Sequence, residues 1–222
     1  AVTPISIDHQ DYLGNSLSQI AFEKLGILNS KSINIINKQK PKVMKFIRDQ
    51  LNKRKLEAQI FNHEWTIKSD TYFSEHIKIN LSKLSLLGKH QKFNAGLAIH
   101  LAKNILKDSF DIATTEKALE KCQWPGRLQL INKGFIPKKI IKYKNIYLDG
   151  FHNIDGMKVI MDSLNSNKKI LICSFLNNKK YKSMLSNLSK KFYKIIVVKM
   201  NEENSITKKD LPQNLSLTYV KS

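Results

Sequence analysis

The chain has 222 residues, 41% hydrophobic and 25% charged, with a net charge of +20, which suits one large globular domain or two modest ones. No apolar run reaches the ~20 residues of a membrane helix. The opening AVTPISIDHQ lacks a signal peptide's pattern, and Cys122 and Cys173 make no disulfide framework, so a reducing cytoplasm is expected.

Residues 2–7 read as a short strand entering a polar corner at Asp8. SLSQIAFEKLG reads as a helix, with Ser16 and Gln19 spaced as a capping box and Gly26 as its stop. SINIINK is a strand pattern. Pro41 suits a first helical turn and opens a helix predicted to reach about Leu56. EAQIFN is another strand, with strand-like pieces from Trp65 to Ile79. Phe93, Leu97, Leu101 and Ile105 recur every four residues, which predicts a helix over 89–106. TTEKALEKC predicts a short helix capped by Thr114 or Thr115. Pro125–Gly126 then breaks the chain. Beyond it IYLDG, KKILICSF and YKIIVVKM alternate with helical runs, the pattern of a parallel sheet with crossover helices. A domain boundary is expected just after Arg127, between residues 1–128 and 129–222.

The charge invites a nucleic-acid partner. Its distribution argues otherwise. Lysines are spread through nearly every segment, whereas a phosphate footprint concentrates them with aromatics on one face.

The corner LDGFHN, residues 148–153, packs Asp149, His152 and Asn153 where a strand gives way to a helix. In open α/β sheets, ligands lie outside the carboxyl ends of the strands. A helix N-terminus and an imidazole suit a phosphate, and Asp149 suits ribose hydroxyls. Equally, Asp149 and Asn153 can shape a turn and cap a helix, leaving His152 an incidental surface residue.

Five polar corners stand in one order: SIDHQDYLG (6–14), AFEKLGI (21–27), GKHQKFNAGLA (88–98), WPGRLQ (124–129) and LDGFHN (148–153). Together they resemble the folylpolyglutamate synthase/dihydrofolate synthase family, relatives of the Mur ligases, over nearly the whole chain. The resemblance implies an α/β fold. Residues 1–128 would be the C-terminal portion of a Mur-ligase-type ATP-binding domain, and residues 129–222 a Rossmann-like parallel-sheet domain. It implies ATP-dependent ligation of L-glutamate to folate or dihydropteroate through an acyl phosphate. By the same resemblance His9 binds Mg2+, and Lys24 is carbamylated to support that metal. Gln91 and Asn94 contact the nucleotide, Arg127 reaches an ATP phosphate, and Asp149 and His152 contact ribose and phosphate. Carbamylation needs a neutral amine, and apolar Phe22, Leu25 and Ile27 suggest partial burial of Lys24. His9 and Lys24 are expected close together, facing the same cleft as Asn94. His63, His76 and His100 match no motif and read as structural or exposed.

The family pattern also includes a P-loop, G-x-x-x-x-G-K-[ST], upstream of the DH corner. The eight glycines of this chain, at 14, 26, 88, 96, 126, 134, 150 and 156, do not have that spacing. Phe151 and Ile154 replace the Ala and Pro of a DGAHNP corner. Asn178–Lys179–Lys180 stands where an acidic corner is expected. Three readings follow: a ligase seen as a fragment or working with its N-terminal half on another chain, an inactive remnant, and a basic nucleic-acid-binding protein.

Overall fold

The computed structural model describes residues 1–8, 10–134, 145–164 and 169–221, without the side chain of Asp11. They form two compact units, Ala1–Leu148 and Asp149–Ser222. The expected 128/129 boundary falls inside the first unit. The antiparallel pair β6 (Gln129–Leu130) and β7 (Tyr147–Leu148) lies between that position and the observed division.

In the first unit, residues 2–7 make no strand. Val2 forms a single parallel bridge to Ile36. Pro4 has no N–H to give a ladder, and the Ile5 N–H instead donates to Gln39 Oε1 at 2.9 Å. After α1 (Gln10–Leu13), α2 (Leu17–Lys24) starts with the expected Ser16–Gln19 capping box. Gly26 lies in the 3-10 turn that ends it. β1 (Ile35–Ile36) pairs in parallel with β2 (Gln59–Ile60).

Between those strands runs α3 (Pro41–Lys53), which buries Val43, Ile47 and Leu51. It stops short of Leu56 because Lys55 turns to φ +52°. The Arg54 guanidinium donates to the Leu25 and Leu28 carbonyls at 2.8 and 2.6 Å. One core joins Val2, Ile5, Ile20, Ala21, Leu25 and Leu28 to the buried stripe of α3.

β3 (Thr66–Lys68), β4 (Thr71–Ser74) and β5 (Ile77–Asn80) form an antiparallel meander. It packs with α4 (Lys89–Leu106) around Trp65, Tyr72, Ile79, Leu97 and Ile99. α5 (Ile112–Lys121) is capped by Asp111, not by Thr114 or Thr115. The Asp111 carboxylate accepts the Thr114 N–H at 2.7 Å, so the helix begins two residues before the threonines that sequence favoured.

The second unit runs α6 (Ile154–Ser163), β8 (Ile170–Cys173), α7 (Tyr181–Leu188), β9 (Lys194–Val198) and β10 (Thr218–Val220). The strands lie in the order β10-β9-β8, all parallel. Met157, Met184, Leu185, Leu188, Ile195 and Val197 form its core. β7, expected in this sheet, pairs with β6 instead. Strand–helix alternation shows that a strand exists but not which strand it pairs with.

Candidate functional site

Gln91 and Asn94 lie three residues apart on α4, so both fall on one helical face. Gln91 is buried and Asn94 exposed. The Asn94 Nδ2 group donates to Gln91 Oε1 at 3.0 Å. The buried amide thus fixes the exposed one. α4 begins at Gly88 (φ +101°) with no side-chain cap, and its first turn carries no acid.

This face adjoins the end of β1. Asn37, fully buried there, donates through Nδ2 to the Phe93 carbonyl at 3.1 Å. Its Oδ1 accepts the Lys38 N–H at 2.7 Å. The Lys38 ammonium sits 4.5 Å from the centroid of the Phe93 ring, within cation–π range.

Lys24 is exposed, contrary to the partial burial expected from its apolar neighbours. Phe22 and Ile27 are themselves 58% and 60% exposed, and Leu25 alone of the three goes inward. Lys24 follows buried Ile20 and Ala21 by four and three residues, so it emerges from the end of the core-facing stripe. His9, and with it the expected closeness to Lys24, lies outside the described residues. Among the described residues no group of three or more His, Cys, Asp or Glu side chains is placed to hold a metal. An unmodified lysine amine offers Mg2+ no oxygen, so Lys24 would suit that ion only as a carbamate.

Arg127 is exposed and closes a turn, its N–H reaching the Trp124 carbonyl at 3.3 Å. Gly126 supplies the positive φ of +71° in that turn. Neighbouring Leu128 is buried and anchors it. Neither Lys24 nor Arg127 is hydrogen-bonded to the Gln91–Asn94 pair.

In the second unit, Asp149 and His152 share the corner that leads into α6. Asp149 Oδ1 accepts the Phe151 N–H at 2.8 Å. His152 Nδ1 lies 3.1 Å from the Gly150 carbonyl, so a proton on Nδ1 would leave Nε2 as an acceptor. Asn153 caps α6 through Oδ1, accepting the Gly156 N–H at 2.8 Å. The turn-making and capping roles weighed from sequence are therefore present, and the half-buried imidazole stands beside the helix N-terminus.

No family model matches the chain. It is 28% identical over 208 residues to the dihydrofolate synthase/folylpolyglutamate synthase of Bacillus subtilis, covering 84% of this chain and 45% of the relative. It is 30% identical over 192 residues to the folylpolyglutamate synthase of Saccharomyces cerevisiae, covering 77% and 31%. The solved E. coli FolC in complex with DHPP and ADP aligns at a TM-score of 0.77 and 19% identity, covering 100% of this chain and 51% of that one. The chain is related to the folylpolyglutamate synthase/dihydrofolate synthase family. It spans less than half the length of these two curated relatives.

The chain carries two polar features that its motifs do not mark. One is Asn37. The run SINIINK shows only a polar residue ending an apolar strand, and its bond to a helix 56 residues away is a product of the fold. The other is His100, read from sequence as structural or exposed. It is buried, with Nδ1 2.7 Å from the Tyr72 hydroxyl and its ring stacked on Trp65 at 5.5 Å. Burial pushes the imidazole down to about 4 and the Tyr72 hydroxyl up to about 12.

Proposed function

We propose that the chain is part of an ADP-forming amide ligase that joins L-glutamate to folate or dihydropteroate in the cytoplasm, through an acyl phosphate made from ATP. The observation that carries this reading is the Gln91–Asn94 pair, a buried amide holding an exposed one at 3.0 Å. It stands at the sequence position where the family meets nucleotide. An exposed asparagine amide pairs well with the donor–acceptor edge of adenine. Arg127 and His152 suit phosphate, and Asp149 suits ribose hydroxyls. Support comes from the names of the curated relatives and from a structural neighbour complexed with DHPP and ADP. Mg2+ belongs to the same reading through His9 and a carbamylated Lys24. Acyl phosphate formation gathers several negative groups, so catalysis rests on charge neutralisation and positioning. The P-loop that such a reaction uses is absent from these 222 residues, so the complete reaction needs that loop from another segment or another chain.

The test is isothermal titration of the chain with ADP. Binding is expected, weakened about tenfold or more by Asn94→Ala, an effect of about 1.4 kcal/mol. Absence of ADP binding, or an Asn94→Ala variant that binds like the parent, overturns the reading.

A further inference from the structure

We propose that Asn37 is a positioning residue for the nucleotide site, holding the Gln91–Asn94 turn of α4 against the end of β1. The inference rests on the nucleotide reading above. Asn37 is 0% exposed, at the end of a strand whose residues Ile35 and Ile36 are also fully buried. Packing alone would be served by another apolar residue, and a buried amide is costly unless bonded. Here the amide is bonded on both sides. Nδ2 reaches the Phe93 carbonyl at 3.1 Å, and Oδ1 accepts the Lys38 N–H at 2.7 Å. Its own N–H donates to the Val2 carbonyl at 2.9 Å, tying the strand to the chain's first residues.

The bond to Phe93 is long-range and enters α4 at one place, between Gln91 and Asn94. Because those two amides are linked through a single turn, a shift of the Phe93 carbonyl moves both. Lys38 reinforces the joint, its ammonium 4.5 Å from the Phe93 ring centroid. Phe93 in turn packs edge-on against Phe61 at 5.6 Å. Asn37 therefore touches no ligand itself. It sets where the exposed Asn94 amide stands relative to the carboxyl end of β1, the end that faces ligands in sheets of this kind. A displacement of about 1 Å in a site held this way can cost orders of magnitude in productive geometry.

The experiment is a double-mutant cycle read by ADP titration of the whole chain, with thermal melts confirming that each variant folds. Asn37→Ala is expected to weaken ADP about tenfold, and Asn37→Ser, which keeps a short donor, by less. In an Asn94→Ala background, Asn37→Ala is expected to change affinity by less than twofold, because a positioning residue acts only through the group it positions. A purely structural role would lower the melting point and leave the two losses additive. The inference alone is overturned if the parent binds ADP and Asn37→Ala binds within twofold of it, or if the losses add in full. A parent that binds no ADP overturns the nucleotide reading, and this inference with it. Should Asn37→Ala fail to fold, Asn37→Ser carries the same cycle with the same outcomes.

Discussion

His100 shows what one buried titratable side chain does to the first unit. Its imidazole packs against Trp65 and Tyr72, and the charges of Lys103, Glu64 and Glu75 act on it. Burial is the largest cause of its lowered pKa, the Lys103 charge adds to it, and the two carboxylates oppose it. The folded chain thus favours neutral His100 down to about pH 4, while the unfolded chain takes up the proton near 6.5. Its contribution to stability is complete above pH 6.5 and is lost as pH falls from there to about 4. The loss has a slope of about 1.4 kcal/mol per pH unit for one proton. Urea unfolding at a series of pH values is expected to show this slope in the parent and a flatter one in His100→Gln. Equal slopes in both would assign the acid sensitivity to other groups.

Gly96 carries the corresponding argument for an element. It sits inside α4, where alanine would ordinarily favour the helix by about 1 kcal/mol. A Cβ there would meet Ile67 Cδ1 at 2.8 Å and Trp65 Cζ3 at 2.9 Å. The isoleucine tip can move, but the indole is 1% exposed and wedged against Phe61 and His100. Overpacking of this kind costs about 1–3 kcal/mol, so Gly96→Ala is expected to lower stability despite its better propensity. Chemical denaturation checks the sign, and a stabilised variant would show that α4 can draw back from the meander. The close approach that requires glycine is invisible in a sequence. The limits of α4 are not, because Phe93, Leu97, Leu101 and Ile105 repeat every four residues over about three turns. The two-residue strands β1 and β2 were legible as strands but not in length, since two ladder residues carry no periodicity. The cap of α5 was misread because several residues near its start were chemically eligible, and only geometry selects Asp111. Gln91 and Asn94 were singled out through the family resemblance of their motif. The burial that distinguishes them, and the joint with Asn37, come from contacts across 56 residues.

At the scale of the molecule, a single absence decides what this chain is expected to do alone. Nucleotide contacts are proposed on both compact units: Gln91, Asn94 and Arg127 on the first, Asp149 and His152 on the second. No stretch of the 222 residues has the glycine spacing that cradles β- and γ-phosphates, nor the lysine that follows it. Oriented donors around a transferring phosphoryl group act as a set, and losing one typically costs about 10²–10³ in rate. Losing a whole loop is expected to take turnover below detection, while the proposed base and ribose contacts would still support binding. The isolated chain is therefore expected to bind ADP but not to release ADP from ATP when supplied with glutamate, Mg2+ and folate or dihydropteroate. A coupled ADP-release assay tests this directly. Substrate-dependent release that disappears in His152→Ala would mean that the phosphate site is completed by groups other than a P-loop. Release restored by adding a polypeptide that carries the missing loop would instead place the two halves of one catalytic site on separate chains.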